Sequence, residues 1–164
     1  MIEILEMRDD EIYSLLQRVG YGHLACCRDD QPYVVPIYYA CEGHDIFMYT
    51  TAGMKSEIIR DNPRICLKVE ELLESGAWRS VVVIGDANEI VDRTAREKAV
   101  GLIRHSNPTL LPALAIKWSN DWMRKNVEVV YKINIDSATG RQTSEVKIAV
   151  VGARPPNQGR GSLL

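Results

Sequence analysis

No stretch of this 164-residue sequence is apolar for long enough to cross a membrane, and no excess of one charge marks it for a polyanion. Charged residues make up 26% of the chain and the formal net charge is −2. Neither nucleic acid nor an anionic membrane is therefore expected as a partner. The opening Met1-Ile2-Glu3-Ile4-Leu5-Glu6 lacks the basic segment and apolar core of a secretory signal, so a cytoplasmic location is expected. Cysteine is sparse, and Cys26, Cys27, Cys41 and Cys66 form no CxxC pair. All four fall in apolar, strand-like runs, and the vicinal Cys26-Cys27 pair points to opposite faces of a strand, which suits neither chelation nor a disulfide. They are expected to be buried free thiols acting as small hydrophobes. His23, His44 and His105 are scattered without HxxE or HxH spacing, so no metal site is expected. A nucleophile elbow and a carboxylate pair are missing too. With neither internal repeat nor divisive linker, the chain reads as one domain over residues 1–141. Residues 142–164 form an extension, low in apolar content from Gly152 onward and expected to be partly mobile.

What is present is organised around Pro32 to Val69. Tyr33 to Cys41 is β-branched and aromatic, Glu42-Gly43-His44-Asp45 punctuates it, and Ile46 to Thr51 follows, which predicts a hairpin. After Gly53 the period changes to that of a short helix carrying Ile58 and Ile59, stopped by Asn62-Pro63 because proline disfavours the α region in the residue before it. Arg64 to Val69 reads as a strand again. Upstream, Ile12, Leu15, Leu16 and Val19 mark one face of a helix, with Asp9 or Asp10 as cap and Gly20 as stop. Gly22 to Cys27 is a strand that turns at Asp29 to Pro32. Downstream, Ser80 to Ile84 and Ala87 to Val91 form one long strand interrupted at Gly85-Asp86, where a bulge or close backbone approach is expected. Asp92 to Ile103 is a helix capped near Asp92 or Thr94. Leu110 to Met123, with Pro112 and two tryptophans, reads as short helical turns, and Val127 to Ile135 as the last strand. This order is α+β and mostly β. Hairpin-linked strands argue for an antiparallel sheet closed into a barrel and against a doubly wound nucleotide fold.

One segment has the makings of a phosphate seat. Tyr49-Thr50-Thr51 ends a strand, Gly53 follows, and Met54-Lys55-Ser56 begins a helix. Hydroxyls, free helix-start N–H groups and a lysine converge there, and the helix dipole favours an anion. Most lysines in a first helical turn are solvated surface residues, and on spacing alone that reading is favoured.

The runs PYVVPIYY, FMYTTAGMKSEIIRDNPRICLKVE and WRSVVVIGDANEI resemble the flavin-binding split-barrel superfamily of pyridoxamine 5′-phosphate oxidases. Gly22-His23-Leu24-Ala25, Val130 to Ile135 and Thr139-Gly140-Arg141 are similar to its short nitroimidazole-resistance members. The resemblance spans roughly Ile12 to Arg141. It implies a six-stranded antiparallel split β-barrel with flanking helices, a homodimer, and FMN in two grooves between subunits. It places Val35, Pro36, Ile37 and Tyr38 beside the isoalloxazine ring, and Tyr49, Thr50 and Thr51 by the ribityl chain and phosphate. The family's phosphate-holding Arg-Lys pair stands here as Met54-Lys55, so one guanidinium is missing. Trp78 and Ser80 match positions that approach the flavin, in keeping with a site across the dimer interface. By residue type alone Tyr38 and Trp78 serve equally as core or interface aromatics. The family implies an oxidoreductase acting on an unidentified small molecule. Two alternatives stay open: a deazaflavin F420-dependent reductase of the same fold, and a non-catalytic flavin or haem carrier. The C-terminal substrate motif of true pyridoxamine phosphate oxidases is absent, which argues against vitamin B6 metabolism. His23 stands where this group has arginine and is not expected to be catalytic.

Overall fold

The computed structural model describes residues 3–106 and 128–144, and the expectations for Leu110 to Met123 and for the tail from Gly152 lie outside them. The elements run β1 (Ile4–Glu6), α1 (Asp9–Val19), β2 (Tyr21–Arg28), β3 (Gln31–Glu42), β4 (Asp45–Thr51), α2 (Met54–Asp61), β5 (Arg64–Leu72), β6 (Trp78–Glu89), α3 (Arg93–Ser106) and β7 (Glu128–Thr143). Every strand pairing is antiparallel. The sheet order is β1-β7-β4-β3-β2-β5-β6, and an additional β6–β7 pairing joins its far edge back to β7. Six strands, β2 to β7, thus form a closed cycle of hydrogen-bonded neighbours. The seventh, β1, is an appendage on the outer half of β7 (Ile4↔Thr143 to Glu6↔Arg141) that the sequence pattern did not suggest.

Local chemistry sets the connections. Asp29 and Asp30 both adopt left-handed backbone (φ 52° and 60°), the geometry of a two-residue hairpin turn that aspartate tolerates better than most residues. Gly43 at φ 60° does the same between β3 and β4. The cap of α1 is Arg8 rather than Asp9 or Asp10. Its backbone N–H donates to the Glu11 carboxylate at 2.8 Å, and Gly20 ends the helix in the left-handed region. Asp92 caps α3, accepting the Ala95 N–H at 2.8 Å. Asn62 stops α2 and ties it to β2 by donating to the Cys27 carbonyl at 2.9 Å.

Alternation along each strand sends one set of side chains into the barrel. Leu24, Tyr39, Met48, Leu67, Val83 and Ile133 are fully buried there, and α1 plugs one end with Leu15 and Leu16. Each such side chain contributes about 1.5–3 kcal/mol on burial. A smaller core lies on the outer surface, where Leu102 and Ile103 of α3 pack over Tyr38, Ala40, Phe47 and Tyr49. Of the four free cysteines Cys26 is buried as expected, while Cys27, Cys41 and Cys66 are half-buried.

The long strand is continuous from Trp78 to Glu89, and its register against β7 shifts at Ile84/Gly85, leaving Asp136 as the extra residue on β7. A Cβ on Gly85 would meet the Asn134 carbonyl oxygen at 2.1 Å, so both expectations for this glycine hold. Arg64 spans the irregularity by pairing with Asp86 at 3.3 Å and with Asp136. Beyond it β7 runs on to Thr143, past the expected end at Ile135, so Thr139-Gly140-Arg141 is strand. There Gly140 accepts the Met7 N–H at 3.0 Å, and a Cβ would strike Met7 and Ile12 at 2.8 Å.

Candidate functional site

Pro36 opens the sheet. The β3–β4 ladder runs from Glu42↔Asp45 to Tyr38↔Tyr49 and stops. Among the described residues β3 pairs from Gln31 to Ile37 with β2 alone, and Pro36 has no N–H with which to extend the ladder. Meanwhile β4 stays on β7 as far as Thr51↔Glu128, and Ala52-Gly53 leads straight into α2. The resulting cleft has the unpaired backbone edge of Val35 to Ile37 on one side. On the other stand the end of β4 and the first turn of α2. Tyr38 forms the corner, edge-on to Tyr21 at 5.3 Å between ring centroids.

The first turn of α2 is arranged to leave donors available. The Ser56 hydroxyl accepts the Gly53 N–H at 2.8 Å and donates to the Gly53 carbonyl at 2.8 Å. The first intrahelical backbone bond is Glu57 N–H to Gly53 at 3.0 Å, which leaves the N–H groups of Met54, Lys55 and Ser56 without a helical acceptor. Thr51 is exposed, whereas Thr50 is buried and its hydroxyl points to the Thr51 carbonyl at 3.4 Å. Met54 is exposed.

Lys55 is half-buried, and burial pulls its ammonium below the usual lysine range, with the nearby Cys26 thiol acting weakly in the other direction. Among the described residues no carboxylate lies within ion-pair distance of it, although thirteen such pairs form elsewhere. A desolvated cation with no counter-ion is unfavourable unless a ligand supplies the negative charge. It stands beside three N–H groups without a helical acceptor at the positive end of a helix, a combination that favours an anion.

Of the residues named from sequence, Val35, Pro36, Ile37, Tyr38, Tyr49, Thr51, Met54 and Lys55 border this cleft or its corner, and Thr50 stands behind it. Ile37 is buried, so its backbone rather than its side chain faces the opening. Trp78 and Ser80 lie elsewhere in the same chain. They line a separate cavity of about 660 Å³ with Lys68, Glu70 and Leu72. Three strand spacings separate β6 from β3, about 14 Å. The sequence pattern also missed Glu128, whose carboxylate sits beside the Tyr49 hydroxyl and, after burial itself, raises its pKa. Tyr49 and Glu128 are far apart in the chain, and no spacing rule links them. Among the described residues no group of three metal-ligating side chains exists, and no helix is long and apolar enough to cross a membrane.

Comparison with known proteins agrees with this architecture. A crystal structure of an FAD-binding protein from Mesorhizobium loti superposes with a TM-score of 0.74 at 28% identity, covering 88% of this chain and all of that one. A candidate 5-nitroimidazole antibiotic resistance protein from Bacteroides thetaiotaomicron superposes with a TM-score of 0.67 at 17% identity, over 87% of this chain and 89% of its own, and so shares the fold. An uncharacterized protein of Rhizobium meliloti (strain 1021) is 38% identical over 84 residues, which cover 51% of this chain and 56% of that relative. The chain thus spans little more than half of that relative's length. A family model described as pyridoxamine 5′-phosphate oxidase matches residues 8–142, which takes in every described strand of the closed cycle almost to its end, and on that match the chain belongs to the pyridoxamine 5′-phosphate oxidase family.

Proposed function

We propose that this protein is a flavin-binding oxidoreductase that holds FMN, as its minimal ligand, in the cleft opened by Pro36. The observation that carries the reading is Lys55, a desolvated ammonium with no carboxylate partner among the described residues, at a helix start whose first N–H groups have no helical acceptor. A flavin's terminal phosphate supplies the missing charge, and charge-assisted hydrogen bonds are the strong ones. The FAD-binding description of the Mesorhizobium loti protein, similar over nearly the whole chain, supports a flavin.

The residues present fit such a group. Lys55 and the N–H groups of Met54 to Ser56 hold the phosphate, and Thr51 offers a hydroxyl to the sugar chain. The unpaired edge of Val35 to Ile37 offers backbone donors and acceptors to the polar rim of the ring, in the manner of strand addition. Tyr38 supplies an aromatic wall beside that edge. Bound flavin contributes hydride and electron transfer, and the protein contributes position, exclusion of water and electrostatics. Among the described residues the cleft carries no side chain suited to be a strong general base. Tyr49, the titratable group at its corner, is held protonated by burial and by Glu128.

The site takes a second copy of the chain to complete. Register places Val34, Ala25, Cys66 and Ile84 in one row across β3, β2, β5 and β6 on the outer face. Val34 is 59% exposed and Ile84 41%, an apolar row that a homodimer would cover. Such a dimer gives Trp78 and Ser80 a route to the partner's cleft. A cytoplasmic location and a small-molecule substrate complete the reading. Fluorescence titration of the flavin-free protein tests it. FMN is expected to bind at least tenfold more tightly than riboflavin, and equal affinities would refute the phosphate seat.

A further inference from the structure

The free thiols are not spread evenly over the barrel. Cys27 of β2 and Cys66 of β5, far apart in the chain, line one groove of about 280 Å³ on the outer face, walled by Ala25, Pro32, Arg64 and Ile84. Both are half-buried. Cys26 borders the groove from the barrel side, where its thiol is buried, and Cys41 stands apart on β3.

Register explains the meeting. Ala25 and Cys66 are Cα partners, as are Cys26 and Ile65. Side chains alternate along a strand, so Cys27 leaves the sheet on the same face as Ala25 and Cys66, one diagonal step from Cys66. Diagonal neighbours stand about 7–8 Å apart, somewhat closer at Cβ. A disulfide needs Cβ atoms about 3.5–4.5 Å apart, so this pair cannot close one without backbone movement. A bridging ion covers the difference, because two thiolate–metal bonds of about 2.3 Å allow the sulfurs to lie as much as ~4.6 Å apart. The Cys27 end is anchored from behind, where the Asn62 side chain donates to the Cys27 carbonyl at 2.9 Å.

We infer that Cys27 and Cys66 form a two-thiolate site for one soft monovalent metal ion of the copper(I) class. The choice of ion follows from the donors. Thiolates select soft ions. Zinc and iron–sulfur clusters call for about four protein ligands. Among the described residues no third metal-ligating side chain joins the pair, and copper(I) is content with two. Both thiols give their protons to solvent as the two sulfur–metal bonds form, and no electron moves. Burial holds the Cys66 thiol above its ordinary range, so the ion must displace that proton. Ala25, Cys66 and Ile84 also belong to the apolar row that the proposed dimer would cover, which would keep water and further ligands off the ion. The site is independent of the flavin cleft.

Copper(I) titrated without oxygen against a coloured copper(I) chelator tests the inference. Wild type is expected to take up one ion per chain and to release protons as it does so. Cys27→Ser and Cys66→Ser should each lose more than the roughly 10- to 100-fold that changes behind a metal's ligands cost. Cys41→Ser, outside the groove, should bind as wild type does. Copper(I) should raise the melting temperature of wild type and leave that of the two groove variants unmoved. X-ray absorption of loaded wild type gives a reading that needs no variant, with two sulfur neighbours expected and neither nitrogen nor oxygen. Unaltered affinity in either groove variant, an equal loss in Cys41→Ser, or no uptake by wild type overturns the site. One ion per two chains also overturns it, because the ion would then join cysteines of different copies.

Discussion

Replacing Lys55 with methionine should move stability and binding in opposite directions. The substitution keeps the length of the stem and removes the ammonium. In the flavin-free protein that ammonium has no counter-ion among the described residues, and burial lowers its folded-state pKa below the unfolded value. The unfolded chain then binds that proton more tightly than the native one, a penalty fully present at neutral pH. It fades as pH rises through the interval between the lowered value and the unfolded value of about 10.4. Lys55→Met should therefore leave the flavin-free protein at least as stable as wild type at pH 7, with any advantage shrinking as pH approaches 10. Binding should suffer, because a hydrogen bond to a charged group is worth about 1.5–3 kcal/mol, or roughly 10- to 150-fold in Kd. Riboflavin, lacking the phosphate, should lose at most a few-fold. Urea denaturation across pH and paired fluorescence titrations give both halves. Equal loss for FMN and riboflavin, or a flavin-free mutant less stable than wild type at pH 7, would refute the reasoning.

Three further outcomes follow. Met54→Arg places a second cation at the exposed start of α2 and should tighten FMN by about 1 kcal/mol without changing riboflavin, as read by the same titration. Gly85→Ala forces a methyl against the Asn134 carbonyl, 2.1 Å from where it would sit, and should cost about 1–3 kcal/mol of stability in urea unfolding. Ile84→Asp charges the β6 end of the exposed apolar row and should convert a dimer to a monomer by light scattering at micromolar concentration, and a wild type already monomeric there contradicts the dimer.

The parts of the fold legible in sequence are those where one residue has a single structural consequence. Asn62-Pro63 ends α2 because the chain cannot continue as a helix through that proline, and Gly85 marks the irregularity because only hydrogen fits beneath Asn134. Features that depend on a distant partner were not legible. The strand β1 is three exposed residues with no pattern of their own, defined by pairing with residues 141–143. The far half of β7 is polar, and Asp136 breaks its alternation, so the strand looked finished at Ile135. At the site, Lys55 could be picked out by its place at a helix start, but its burial away from every described carboxylate is a product of the tertiary fold. Pro36 was singled out by resemblance. Its physical role, releasing the β3 edge from β4, is visible only once the ladder is seen to stop at Tyr38. Trp78 and Ser80 show the opposite case, positions that match the family yet stand three strands away within one chain.

The central claim is that the Pro36 cleft with Lys55 at its foot is a flavin site. The visible absorption spectrum of the purified protein tests it most directly. The account predicts the two-band spectrum of an oxidised flavin at close to one equivalent per chain, bleaching on reduction with dithionite. A haem Soret band, the single long-wavelength band of a deazaflavin, or no visible absorption even after incubation with excess FMN and FAD would contradict it.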